Sequence, residues 1–380
     1  MESTRPRLLN ESTAMGLLQV RDLHTIFRGE GAHVAAVDGV SFEIAAGESL
    51  GLVGESGCGK SVTALSLMRL IRSPGAVDAG EVWFEGQNLL TLDESAMRRL
   101  RGRRMAMIFQ DPVTSLDPMM TIGGQLSEAV AAHSDRRGST LRGRVVELLA
   151  LVGIPDPTRR YHDYPHQFSG GMCQRLGIAM ALACSPALIL ADEITTALDV
   201  TIQAQILDLL KQVTRDAGMA VLLITHDLGI AAGSTDRVHV MYAGQIVEKA
   251  ATTELFENPQ MPYTWGLLQS LPRLDDVEAG RLRPIEGQPY DPLDPSPGCR
   301  FETRCPYSRP ICAERVPNLI IAADGSADHE VRCFGTQDVE GGGWLRGIDW
   351  RGFVRDAAGS RQPDTVGAAK TSTEGVESDG

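Results

Sequence analysis

Ser49-Leu50-Gly51-Leu52-Val53 runs directly into Gly54-Glu55-Ser56-Gly57-Cys58-Gly59-Lys60-Ser61, and beyond it the apolar positions Val62, Leu65, Leu67, Met68 and Leu70 recur at helical spacing up to Pro74-Gly75. The first five residues read as a buried strand, and the next eight fit G-x-x-x-x-G-K-[ST] between that strand and a helix. The flanks give the motif its chemistry. Glycines let the backbone curl so that its N–H groups face inward, and the helix amino terminus adds partial positive charge, which together suit a chain of phosphates. Lys60 then supplies a point charge for the β- and γ-phosphates, and the Ser61 hydroxyl a ligand for magnesium. Cys58 fills a variable position and reads as a small loop residue rather than a redox switch. Residues 54–61 and Val62 are therefore the predicted phosphate contacts.

Outward from this loop, residues 18–20, 35–37 and 41–44 read as strands on the amino-terminal side. Residues 105–109, 187–191 and 221–225 read as short buried strands beyond it, each followed at once by a polar residue. Between about 120 and 184 the pattern is helical. Strands separated by helices over such distances imply a parallel sheet with crossover connections, whose ligands gather at the carboxyl ends of the strands. One such end carries Asp192-Glu193. Beside a phosphate loop, Asp192 is placed to hold magnesium through its water shell, and Glu193 to orient and deprotonate an attacking water.

With 380 residues, 43% of them hydrophobic, the chain can fill one large α/β domain and a smaller appendage. Its 36 basic and 49 acidic residues leave a net charge of −13, which excludes a uniformly basic nucleic-acid surface and makes any anion site local. No stretch reaches the roughly 18 consecutive apolar residues of a membrane helix, and residues 1–16 lack the apolar core of a signal peptide. A cytosolic chain is expected.

A third motif settles the family. Phe168-Ser169-Gly170-Gly171-Met172 precedes Cys173-Gln174-Arg175 and an apolar helix over 176–184. A Ser-Gly-Gly triplet opening a helix offers a hydroxyl and bare N–H groups to an anion. Asp192-Glu193 follows about twenty residues later, then Thr196-Ala197-Leu198-Asp199, and His226 ends the next strand. This ordered set resembles the nucleotide-binding subunits of ABC transporters over about residues 18–258. The resemblance implies a P-loop ATPase of the ABC type: a parallel-sheet core, a small β subdomain and a helical subdomain at about 111–184. It further implies that Phe27 stacks on adenine, that Gln110 senses magnesium and the permease, and that Asp199 lies in the loop crossing a dimer interface. His226 would contact the γ-phosphate, while Ser169, Gly170 and Gly171 would cap the nucleotide of a partner subunit in a head-to-tail dimer. Phe168, Met172 and Ile194 stand where the family usually has leucine, glutamine and proline, but the phosphate-contacting Ser and Gly residues and Glu193 remain, so a competent ATPase is expected, with Glu193, His226 and Gln110 as its catalytic residues.

Phe168 and Met172, with Asp111-Pro112-Val113-Thr114-Ser115-Leu116-Asp117-Pro118 after Gln110, are similar to the dipeptide and oligopeptide importer ATPases. So is Asn258-Pro259-Gln260-Met261-Pro262-Tyr263-Thr264, where Met261 replaces the usual histidine. That family implies two integral-membrane permeases, a second ATPase subunit (the same or a different chain), an extracytoplasmic substrate-binding protein, no nucleic acid, and a peripheral place on the cytoplasmic face of the membrane. The alternatives are an importer of nickel or another small solute, or a soluble ABC ATPase acting on nucleic acid or ribosomes. The last predicts a coiled-coil insertion, paired ATPase domains or a basic face, and none of these is present.

Of seven cysteines, Cys299, Cys305, Cys312 and Cys333 crowd together as C-x5-C-x6-C-x20-C. A reducing compartment argues against disulfides. The spacing matches neither common zinc pairs nor ferredoxin runs and is inconclusive by itself. Resemblance to the peptide-importer extension implies a 4Fe-4S cluster, with zinc or ordinary thiols as the alternatives. The run Arg98-Arg99-Leu100-Arg101-Gly102-Arg103-Arg104 reads as a solvated helix end, the alternative being contact with a permease loop or lipid headgroups. The expected division is a tail at 1–17, the ATPase at 18–258, the cysteine-bearing extension at 259–335 and a disordered tail at 336–380, with a possible ordered segment at 344–353.

Overall fold

The computed structural model describes residues 16–29, 33–112, 114–196, 198–271, 284–323, 326–348 and 350. Most of the expected amino-terminal tail and most of the carboxyl-terminal one lie outside them. The described chain up to Arg346 belongs to one compact unit; a second, 347–380, contains only three described residues.

Strands β1 (Leu18–Arg28) and β2 (His33–Ile44) pair antiparallel, and β1 also pairs with β4 (Gly75–Phe84), which carries the short β5 (Gln87–Asn88) at the edge. Val40, Phe42 and Ile44 alternate inward along β2, the period of a sheet with one buried face. Between these strands the chain detours into the main sheet through β3 (Ser49–Val53) and helix α1 (Lys60–Leu67). Helix α2 (Glu94–Leu100) starts on Asp93, whose carboxylate accepts the Ala96 N–H, and carries Arg98 and Arg99 in its last turn. Farther along the basic run Arg103 is exposed, Arg101 turns inward to donate to the Met68 and Arg69 carbonyls and also to Glu94, and Arg104 pairs with Glu85 at the surface.

Strand β6 (Met105–Ile108) follows, and Phe109 lies beyond its end, 44% exposed. A helical layer comes next: α3 (Ile122–Ala131), α4 (Gly138–Leu151), α5 (Pro157–Arg160) and α6 (Gly170–Ala181). Its apolar faces close on one another and on β6 through Leu126, Val145, Leu148, Leu149 and Leu176. The chain then returns to the sheet with β7 (Leu188–Asp192), α7 (Val200–Asp216), β8 (Ala220–Thr225), α8 (Leu228–Ser234), β9 (Arg237–Tyr242) and β10 (Gln245–Ala251). Helices α9 (Thr252–Glu257), α10 (Pro262–Gln269) and α11 (Pro310–Glu314) and strands β11 (Ile320–Ile321) and β12 (Glu330–Val331) complete the unit.

The main sheet runs β11-β12-β10-β9-β3-β8-β7-β6. Its β6, β7, β8, β3 and β9 are parallel, as expected, and β10, β12 and β11 extend it antiparallel, so the carboxyl-terminal region is built onto the ATPase sheet itself. Leu50, Leu52, Leu188, Leu190, Leu222 and Ile224 face a core shared with the smaller sheet. The expected disordered tail starts too early at 336: Leu345 is buried and its N–H donates to the Gly335 carbonyl, while the Gly343 N–H donates to Phe334. No described helix is long and apolar enough to cross a membrane.

Candidate nucleotide site

Four neighbouring parallel strands, β3, β8, β7 and β6, end at one rim of the sheet, and the phosphate loop, His226, Glu193 and Gln110 follow those ends in turn. The loop after β3 turns so tightly that two of its glycines have no room for a side chain. A Cβ on Gly54 would lie 2.1 Å from the Met241 carbonyl oxygen, and one on Gly59 (φ 107°) 2.2 Å from that of Ala36. Lys60 is buried beneath the loop, its ammonium donating to the Gly54 and Glu55 carbonyls at 2.8 Å each and lying 3.6 Å from the Cys58 sulfur. Ser56 and Gly57 are exposed at the loop tip, Cys58 is buried, and Val62 is half-buried on α1.

Ser61, at the start of α1, donates its hydroxyl to Asp192 at 2.9 Å. Burial pushes the Asp192 carboxyl above its ordinary value; the Ser61 hydrogen bond and Lys60 pull it back, and Glu193 pushes it up again. Glu193 leaves β7 with φ 45° and is anchored by its N–H to the Ile224 carbonyl. This turn aims its carboxylate along the rim. There it accepts the Gln110 amide at 2.9 Å and the Thr196 hydroxyl at 3.2 Å, and lies 3.5 Å from His226 Nδ1. Gln110, Asp192, Glu193 and His226, scattered over the sequence, thus meet beside Ser61. Thr196 joins them unforeseen; its only signal is its position three residues after Glu193.

These residues fit a magnesium-bound nucleoside triphosphate. The loop is too narrow for side chains at two positions, an ammonium lies under it, and a hydroxyl–carboxylate pair suits a hard cation with oxygen ligands. The other predicted contacts stand apart in sequence and element. Phe27 is half-buried on β1, with its ring edge against Gly75. Ser169 is the N-cap of α6, its oxygen accepting the Met172 N–H, and Gly170 and Gly171 form that helix's first turn. Asp199 caps α7 in the same way, accepting the Ile202 N–H at 2.9 Å.

The cluster expectation for the carboxyl-terminal cysteines is overturned. Among the described residues no group of three or more His, Cys, Asp or Glu side chains is placed to hold a metal ion, which removes both 4Fe-4S and zinc. Cys299, Cys305, Cys312 and Cys333 do line one cavity, but it holds only about 20 Å³ and is closed by Met261, Phe301, Trp344 and Leu345. Burial pushes the Cys299 thiol up to about 11 and Cys333 to about 12, and raises Cys305 as well. The four are free cysteines lining a small cavity closed by apolar side chains.

Fold and site together define a P-loop ATPase of the cassette type. The family model described as "ABC transporter" matches residues 37–196, and that described as "Oligopeptide/dipeptide transporter, C-terminal region" matches 247–312. The dipeptide transport ATP-binding protein DppD of Bacillus subtilis is 49% identical over 84% of this chain and 94% of its own. The oligopeptide transport ATP-binding protein OppD of the same organism is 48% identical over 81% of this chain and 86% of its own. Among solved structures, the dimeric post-hydrolysis state of the ATP-binding cassette MJ0796 bound to ADP and Pi superposes with a TM-score of 0.56 at 26% identity, covering 62% of this chain and 98% of that one. The chain belongs to the ABC transporter ATPases, in the branch that carries the oligopeptide/dipeptide transporter C-terminal region.

Proposed function

We propose that this chain is the ATP-hydrolysing motor of an importer for dipeptides or oligopeptides. The observation that carries the reading is the convergence of Gln110, Glu193 and His226 on one rim beside the Ser61–Asp192 pair. In this reading, the amides of residues 54–61 and the Lys60 ammonium bind and orient the phosphates of ATP, and Phe27 supports the adenine. Glu193, held from both sides, positions a water in line with the γ-phosphate and takes up its proton, while His226 and Gln110 fix the carboxylate's direction. Magnesium held through Ser61 and Asp192 supplies neutralisation of phosphate charge when bound.

Ser169, Gly170 and Gly171 open a helix with bare N–H groups, which suits them to cap ATP on a second ATPase subunit, with Asp199 at the same interface. As a member of the peptide-importer branch, the chain in this reading acts on two permeases from the cytoplasmic face, with a binding protein outside selecting the solute. The names of the relatives support peptide as that solute.

Affinity purification of the chain from its native membranes, with mass spectrometry of what accompanies it, tests this directly. Two integral-membrane permeases, a second ATPase and a peptide-binding protein are expected. Recovery with ribosomes or DNA-repair proteins alone would overturn the transport reading.

A further inference from the structure

The phosphate loop is gripped from outside by the carboxyl-terminal region. Arg304, its side chain 3% exposed, reaches Glu55, the second residue of the loop motif, with one guanidinium nitrogen at 2.6 Å and another at 2.9 Å from the two carboxylate oxygens. This is a bidentate, charge-assisted pair between residues 249 apart in sequence. The same guanidinium donates to the Ile285 and Glu286 carbonyls at 3.2 Å each, so it is held in place from behind. Tyr263, fully buried on α10, accepts the Glu55 N–H at 2.8 Å. Its ring packs with Tyr242 and Phe301 at centroid distances of 4.6 and 5.4 Å, and Arg304 lies 5.8 Å from both of those rings. Glu55 is thus tied by backbone and side chain at once, and its carbonyl also accepts the Lys60 ammonium.

A carboxylate on a loop that must take a polyanion is unfavourable unless its charge is offset. We propose that Arg304 and Tyr263 are positioning residues for the nucleotide site: Arg304 offsets the charge of Glu55 while Tyr263 holds the Glu55 N–H and with it the loop's first turn, and the carboxyl-terminal region so sets affinity for the triphosphate. This rests on the ATPase reading of the loop. Both residues lie within 247–312, the segment matched by the transporter C-terminal region. That region therefore reaches the motor's nucleotide site, and a displacement of α10 or of the Arg304 segment would be felt there as a change in nucleotide affinity.

The test is a charge cycle in the full-length chain, with the Kd for ATP measured by titration calorimetry on the hydrolysis-blocked Glu193→Gln background at low and high salt. Arg304→Met should weaken ATP binding by on the order of tenfold at low salt and by less at high salt, the scale a single uncompensated charge supplies across a half-buried site. Adding Glu55→Gln to Arg304→Met should restore most of the affinity, which repair of a merely structural defect would not do. Glu55→Gln alone, which leaves Arg304 in place, should bind ATP at least as tightly as the parent and keeps the test decisive where Arg304→Met does not fold. Weaker binding in Glu55→Gln, unchanged binding in Arg304→Met, or failure of the double variant to recover would each overturn the proposal with the ATPase reading intact. Failure of the parent chain to bind ATP would instead overturn that reading, and the proposal with it.

Discussion

Cys58 shows what a loop motif does and does not disclose. Its neighbours are dictated by geometry: Gly54 and Gly59 have carbonyl oxygens about where a Cβ would sit, and Lys60 must lie under the loop. That is why the motif was legible as a string of residues. The cysteine occupies a position that the motif leaves free, and the structure buries it to 6% exposure. Burial pushes its thiol up, and the nearby Lys60 ammonium only partly offsets this. At pH 8 we therefore expect Cys58 in the folded chain to be alkylated at least roughly tenfold more slowly than in urea, as followed by peptide mass spectrometry. Equal rates would show an exposed, reactive thiolate and return the redox role that the sequence reading set aside. Arg304 and Tyr263 were illegible for the opposite reason. Tyr263 stands in the Asn258–Thr264 motif and Arg304 beside Cys305, but neither neighbourhood discloses the contact with Glu55, which is more than two hundred residues away.

Elements were readable where burial is uniform and obscure where polar groups break the pattern. Strands β3, β7 and β8 are continuous apolar runs buried on both faces, the signature of a central parallel strand. Strand β4 carries Asp78, Gly80 and Glu81, and β9 carries Arg237 and the buried His239, so neither shows a clean period. The join between β10, β12 and α9 depends on another such interruption. His329, fully buried, lies 2.8 Å from the fully buried Glu248 and 3.4 Å from Glu254. Burial opposes its charge, but the hydrogen bond and attraction to Glu248, then those to Glu254, outweigh it and raise its pKa above 6.5. A raised folded-state pKa stabilises fully below 6.5, and the contribution fades as pH climbs through the folded value. His329→Gln should therefore cost about 3 kcal/mol near pH 6, on the scale of breaking a buried pair, and less near pH 8.5. Urea unfolding at the two pH values measures this; a penalty that is equal at both, or larger at the alkaline one, would mean that His329 is neutral in the fold.

At the scale of the whole molecule, the order of motifs along the chain was enough for the ATPase fold, because a P-loop, an acidic strand end and a histidine one strand later can meet only if β3, β7 and β8 lie side by side. The carboxyl-terminal region was not legible in the same way. Its resemblance to the peptide-importer extension implied a metal cluster, on a cysteine spacing inconclusive by itself, whereas those side chains close over a small apolar cavity, and the region's contribution to the sheet comes from strands of two residues each. What unites the molecule functionally is Glu193, where β7, the Gln110 loop and His226 meet. The most direct test of the account is ATP turnover by Glu193→Gln in the complex assembled with its partner subunits, alongside ATP binding by the same variant. Turnover should fall by about a hundredfold or more, as expected on losing a general base, with ATP still bound. Turnover equal to that of the unaltered chain would contradict the assignment of Glu193 and, with it, the mechanism built on that rim.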